Sequence, residues 1–392
     1  MLKQAFAITK VNIKSIPERW ASSLVIVIGL AGVVAVFSAL LAMAAGFQST
    51  LAATGSKDSA LLLRGGSQAE LNSGLARDDV TLIKLEPGIR KGADGKPLAS
   101  AEMIVITELL RKGDTQNGAN VTLRGVEPDA FVLRPQLHIT EGRMFKPGLR
   151  ELLVGRGVTR QFDGVELGKT LRMRGSEWIV VGIFDSGDAH DSELWADVAI
   201  AQSTFNRQGF SSILAALDGP GAIATLKTAL KADPRLNVDV QTEQDYFSDQ
   251  TKQFRKTIGV LAGVVTLIMA LGAIFAALNT MYAAVAARSR EIATLRAIGF
   301  GGFAVLVSVM IESLVLSFVG GAFGALLAYV LFNGISVSTL GANFTQVVFA
   351  FKVTFGLVVS GLVIAVTIGF VGGLLPAIRA ARMQVTDALR AA

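Results

Sequence analysis

SSLVIVIGLAGVVAVFSALLAMAAG, residues 22–46, is 25 residues long and carries no charged side chain. A helix needs about 20 apolar residues to cross a bilayer core of about 30 Å, so this stretch reads as a membrane span. Ala42-Met43-Ala44 resembles a signal-peptidase site. The apolar run is, however, about twice the length of a signal-peptide core, and a retained anchor is expected. Comparable windows recur at 258–287, 304–332 and 354–377. Between the first and second lies a polar stretch of domain size. Composition agrees: 51% hydrophobic residues is high for a soluble protein, and 17% charged residues is high for one confined to the membrane.

Charge predicts the orientation. Residues 47–257 hold 26 basic and 27 acidic side chains, leaving 11 basic and 4 acidic elsewhere. Lys3, Lys10, Lys14 and Arg19 precede the first span, Arg288, Arg290 and Arg296 separate the second from the third, and Arg379, Arg382 and Arg390 follow the fourth. Only Lys352 lies between the third and fourth. By the positive-inside rule both termini are expected in the cytoplasm and the large domain on the far side. The pI of about 9.6 therefore reports topology, and no nucleic-acid partner is expected.

The expected fold is an α+β integral membrane protein, with four transmembrane helices and a large two-subdomain periplasmic α/β domain inserted between the first and second. Its parts are an amphipathic cytoplasmic helix at 1–20, spans at 21–46, 258–287, 304–333 and 354–378, and the periplasmic domain at 47–257. A cytoplasmic coupling segment at 288–303, a periplasmic loop at 334–353 and a tail at 379–392 complete it. Within the large domain two similar stretches sit near its ends. In the second, Asp218 and Pro220 open a helix, Leu226 and Leu230 recur on one face, and Asp233-Pro234 closes it before Val238 and Val240 alternate as a strand. Glycine-punctuated strand signals lie between, and predict a β-rich insert in a split α/β subdomain.

Candidate chemistry in the large domain is sparse. FDGVELGKTLRM, residues 162–173, approaches a phosphate-binding loop through Gly164, Gly168, Lys169 and Thr170, but three residues separate the glycines where four are required. The chain from Thr170 to Asp185 alternates at period two and predicts a hairpin turning at Gly175-Ser176, where a phosphate loop would open a helix. FDSGDAHDSELW, residues 184–195, lacks the ligand spacing of a common calcium loop and reads as a solvated acidic loop. His138 reads as a packing residue. With two histidines and no cysteine, the chain offers no triad, thiol chemistry or cysteine-based metal site. Neither an intrinsic catalytic site nor a metal is expected.

The spans say more. Gly259 and Gly263, Gly320 and Gly324, and Gly369 and Gly373 each form a Gly-x-x-x-Gly pair, which allows close helix approach within a chain or between copies. Glu312 lies about two turns inside the third span, and Asn279 is polar within the second. An intramembrane carboxyl is expensive and is expected to face a partner.

NTMYAAVAARSREIATLRAIGF, residues 279–300, closely resembles the Arg-x-Arg-Glu-Ile-x-x-Leu-Arg-Ala-x-Gly hallmark of the FtsX-like, MacB-like permeases of ABC transporters, the mechanotransmission type. ESLVLSFVGGAFGALLA, residues 312–328, resembles that family's third span. LLPAIRAARMQVTDALRA, residues 374–391, is similar to its closing signature, with Val385 where relatives commonly have proline. The resemblance implies a dimer of permeases, with a second copy or a paralogue, and a separate cytoplasmic ABC ATPase supplying ATP and Mg chemistry. It places the docking of that ATPase on Arg288, Arg290, Glu291, Ile292, Leu295 and Arg296. A periplasmic adaptor, an outer-membrane channel and membrane lipids are further partners it allows. The expected function, in the bacterial inner membrane, is to couple ATP hydrolysis by that partner to a periplasmic conformational change for export or extraction of a lipid, lipoprotein, peptide or small toxin, without passing substrate through the bilayer. The alternative is a signalling subunit that switches a periplasmic partner such as a wall hydrolase.

Overall fold

The computed structural model describes residues 6, 8–9, 20–114, 118–340 and 346–383. The surface segment expected at 1–20 lies outside the described residues except at 6, 8–9 and 20, as does the tail beyond 383, with Val385 in it. Two compact units are present. A helical unit comprises Met1–Gly46, Arg255–Ile335 and Phe351–Ala392, and a sheet unit comprises Phe47–Phe254 and Ser336–Ala350.

Among the described residues, four helices are long and apolar enough to cross a membrane. They are α1 (Trp20–Ala53), α7 (Glu243–Ala287), α9 (Gly302–Phe332) and α10 (Phe355–Arg382). A short helix, α8 (Ser289–Ala297), joins α7 to α9. Small residues set the packing. A Cβ on Gly320 would lie 3.0 Å from Leu30 Cβ of α1, and one on Gly321 would lie 2.7 Å from Ala365 Cβ of α10. On α9, Ser308, Ser313 and Ser317 are fully buried. Ser313 and Ser317 direct their hydroxyls to backbone carbonyls, at Gly369 (2.7 Å) and Ser313 (2.7 Å). A buried hydroxyl satisfied in this way avoids the penalty of an unpaired polar group in an apolar surrounding.

The sheet unit is built on one ten-stranded sheet in the order β10-β1-β9-β2-β3-β8-β5-β7-β4, with β6 paired to β7. Strand β1 (Ser59–Arg64) lies between β9 (Ser212–Ala216) and β10 (Val238–Thr242), so the two ends of the domain meet side by side. Helices α2 (Arg77–Lys84) and α6 (Ala222–Ala232) cover this half through Val80, Ile83, Leu226 and Leu230. Strand β2 (Ala99–Leu110) pairs with β9 through its first residues and with β3 (Gly118–Val126) through its last, which carries the sheet into the second half.

That half contains α3 (Ala130–Leu133), β4 (His138–Gly142), β5 (Glu151–Gly155), α4 (Arg156–Gln161), β6 (Thr170–Met173), β7 (Ser176–Asp185), β8 (Glu193–Asp197) and α5 (Val198–Phe205). Its core gathers Leu123, Leu152, Val154, Phe162, Trp178 and Leu194. The stretch at 334–353 is more than a loop. It forms a hairpin of β11 (Ser336–Leu340) and β12 (Gln346–Ala350) that belongs to the sheet unit. Val348 donates its N–H to Ser192 Oγ at 2.8 Å, and Phe349 meets Phe47 edge-on at 5.4 Å.

Candidate functional site

The corner between α7 and α9 is sharply bounded. Arg288 leaves helical geometry (φ −108°, ψ 13°) and starts α8; Gly299 (φ +99°) turns the chain after it, a conformation that favours glycine. Along α8, Ile292 and Ala293 are buried and Leu295 packs against the same apolar cluster, which includes Met281, Val285, Val305 and Val309. Ile292 and Leu295, expected on a docking face, therefore point inward. Arg290, Glu291, Thr294, Ala297 and Ile298 are exposed. Positions 290, 294 and 297 follow helical spacing and form one outer face, with 291 and 298 beside it.

Three of the expected docking residues, Arg288, Glu291 and Arg296, are engaged within the chain. Arg288 places Nε 3.1 Å from Glu291 Oε2 and Nη1 3.3 Å from Glu312 Oε2. Arg296 donates from Nη1 to the Met383 carbonyl at the end of α10. Glu312 thus has its partner at the end of the preceding span, which a search for a second charge inside the spans misses. Asn279 is exposed on α7.

The glycine pairs separate by role. Gly320 and Gly324 receive α1 at Val27, Leu30 and Ala31, and Gly369 and Gly373 receive α9 at Ser313 and Ser317. Around Gly259 and Gly263 no other element among the described residues lies within 4 Å of a Cβ position. Of the three pairs, this one faces open space in the single chain.

In the sheet unit the stretch resembling a phosphate loop is a turn. Gly168 and Lys169 spend their N–H groups on the carbonyls of Val180 (2.8 Å) and Glu166 (3.0 Å), the groups a phosphate would require. The chain then enters β6 and reverses at Arg174-Gly175 (φ +48° and +77°), one residue earlier than expected, since a two-residue turn of this twist needs positive φ at both positions. The acidic stretch at 184–195 is largely buried, not solvated. Asp188 and His190 are 3% and 1% exposed and pair at 2.9 Å, while Asp191 accepts from Ser186 N, Ser186 Oγ and Gly187 N. His138 is exposed at the sheet edge and is no packing residue. Among the described residues no cluster suited to a metal ion is present.

Sequence reading missed a buried charge network. Arg124 of β3 contacts Glu70 (2.9 Å), Glu102 (2.6 Å) and Glu193 (2.7 Å), and Arg134 contacts Glu102 (2.6 Å) and Glu243 (3.4 Å). Ser212 donates to Glu70 and Trp195 Nε1 to Glu193, while Arg134 also lies over the Trp195 ring. Six charges from strands, a short turn and the start of α7 meet in one place. The one hint in the sequence is Arg124 and Glu102, each set within a run that otherwise reads as strand.

The MacB-like periplasmic core domain family matches residues 21–233, and the FtsX-like permease C-terminal family matches 263–385. The chain belongs to the FtsX-like, MacB-like ABC transporter permeases. It is 24% identical to the uncharacterized ABC transporter permease YvrN of Bacillus subtilis, over 93% of each chain. It is 27% identical to the macrolide export ATP-binding/permease protein MacB of Chlorobium phaeobacteroides, over 94% of this chain but 58% of that one. The periplasmic region of MacB from Actinobacillus actinomycetemcomitans matches 52% of this chain at 14% identity with a TM-score of 0.37. The permease is a multi-pass membrane protein with a MacB-like core domain.

The network makes the permease's stability depend on pH. Burial opposes the charge on Glu102, but Arg134 and Arg124 outweigh it and hold this carboxyl down to about 2; Glu193 is lowered by Arg124 in the same way. A depressed carboxyl stabilises the fold above its ordinary value near 4.5, and that contribution is lost as pH falls through the folded value. His190 moves oppositely. Burial lowers it but Asp188 raises it further, so its contribution is present below 6.5 and fades as pH rises through the raised value. Thermal unfolding of the full chain in detergent is therefore expected to show a melting temperature that drops between about pH 4.5 and about pH 2. Glu102→Gln should flatten the drop, and an unchanged slope would contradict this assignment.

Proposed function

We propose that this permease docks a separate ABC ATPase on the outer face of α8 and passes the resulting movement to its core domain. ATP and Mg are handled by that partner, and the permease itself carries out no catalysis. The partner lies on the cytoplasmic side, with both termini, and the core domain lies across the inner membrane, in line with the charge asymmetry of the sequence. The work is export or extraction of a lipid, lipoprotein, peptide or small toxin. The permease acts as a dimer, for which the exposed Gly259–Gly263 strip of α7 is suited. A periplasmic adaptor and an outer-membrane channel are compatible additional partners.

The observation that carries this reading is α8. It is a charged, nine-residue helix held between two corners, with its apolar face buried against the spans and Arg290, Glu291, Thr294 and Ile298 outside. Orientation alone requires only positive charge. A helix seated by one face and exposed by the other is suited to receiving a push. Reversing the outer charges, Arg290→Glu with Glu291→Lys, is expected to weaken ATPase binding roughly tenfold or more, each tenfold being about 1.4 kcal/mol. Binding measured by microscale thermophoresis in nanodiscs checks this, and undiminished affinity would refute docking on this face.

A further inference from the structure

The helix α8 is fastened at both ends, and both fastenings lie within the helical unit. At its first corner Arg288 is 11% exposed, bridging Glu291 on α8 and Glu312 on α9, whose side chain is 5% exposed. At its far end Arg296 reaches the Met383 carbonyl. Beside this, a Cβ on Gly302 would lie 2.7 Å from the Ala381 carbonyl oxygen, so the start of α9 and the end of α10 are in backbone contact. Between the fastenings Ile292 is buried with Val305, Val309 and Ala377.

The energetics of the first fastening are one-sided. Separating two largely buried ions is costly, because each loses a close opposite charge in a low-dielectric surrounding. The cavity lined by Arg288, Glu312, Met281, Val285 and Val309 measures about 20 Å³. That is room for about one water while the pair is in place. A bend at the Arg288 corner must break this pair. With the pair intact, α8 and the first three turns of α9 move together.

We propose that Arg288 and Glu312 are positioning residues for ATP coupling: their pair locks α8 to α9, so that displacement of α8 enters the third span instead of being absorbed at the corner. The coupling role rests on the docking reading above; the lock itself is a property of the permease alone. The chain contains no cysteine, so Ala297→Cys on α8 and Phe318→Cys on α9, both exposed, accept spin labels without background. Pulsed electron paramagnetic resonance on the full chain in nanodiscs is expected to give one narrow distance. Glu312→Gln or Arg288→Gln should lose it for a broad distribution, and the reversed pair Arg288→Glu with Glu312→Arg should restore it, which a merely destabilised helix would not. Distributions as narrow in both Gln variants as in the parent would overturn the lock. With the bound ATP-binding subunit trapped by ADP and vanadate, the parent distance should stay unchanged, and a shift there would overturn the coupling role. If no ATP-binding subunit associates with the parent, docking fails while the nucleotide-free distances still decide the lock.

Discussion

Arg124→Met is expected to leave the sheet unit without a stable fold. Arg124 neutralises Glu70, Glu102 and Glu193 at contacts of 2.6–2.9 Å, with its side chain 2% exposed. Removing one partner of a buried ion pair costs about 3–5 kcal/mol. Here three carboxylates lose a partner at once, with Arg134 left to compensate only Glu102 and Glu243. A domain's whole stability is about 5–15 kcal/mol, so the loss is comparable with the total. Limited proteolysis and near-ultraviolet circular dichroism of the purified chain should show cleavage throughout 47–254 and loss of the signal from buried Trp178 and Trp195. Adding Glu70→Gln and Glu193→Gln should recover part of the stability, since fewer charges are then stranded. A single variant that unfolds like the parent would mean the network is hydrated and contributes little.

The second large effect is expected at Gly324→Leu. A Cβ there would lie 2.8 Å from Ala31 Cα, and backbone cannot give way as a flexible side chain does. Overpacking of a tight core costs about 1–3 kcal/mol and more where the neighbour is rigid. Gly263→Leu provides the control, because no other element among the described residues lies within 4 Å of a Cβ there. Thermal unfolding in detergent should therefore separate the two, with Gly324→Leu strongly destabilised and Gly263→Leu near the parent. If α7 forms the contact between copies, Gly263→Leu should instead lower the dimer fraction by size-exclusion chromatography with light scattering. Equal melting temperatures for both variants would contradict the seam between α1 and α9.

Much of the architecture was legible because the signals are local. Span length and hydropathy reveal α1, α7, α9 and α10, and Leu226 with Leu230 reveals α6. Period-two alternation reveals the β6–β7 hairpin, although its turn falls one residue earlier, at Arg174-Gly175, where both residues take positive φ. The misses are non-local. Glu70, Glu102, Arg124, Arg134, Glu193 and Glu243 are far apart along the chain, and the tertiary fold brings them together. The fold also buries Asp188 and His190, in a stretch that composition marks as solvated. On α8, which side faces the spans depends on α9 and α10, which lie outside the motif. Packing turns Ile292 and Leu295 inward and engages Arg288 with Glu312.

Engagement of an ABC ATPase by the outer face of α8 is tested most directly by placing a photo-crosslinking benzoylphenylalanine at Thr294, exposed in the middle of that face, in the full chain expressed in its native membrane. If the ATPase docks there, mass spectrometry of the adduct identifies an ATP-binding-cassette subunit, the same probe at Phe318 on α9 yields none, and ATP hydrolysis tracks the adduct. ATP hydrolysis by the purified chain alone, or an ATP-binding subunit that crosslinks elsewhere and never at Thr294, would contradict it.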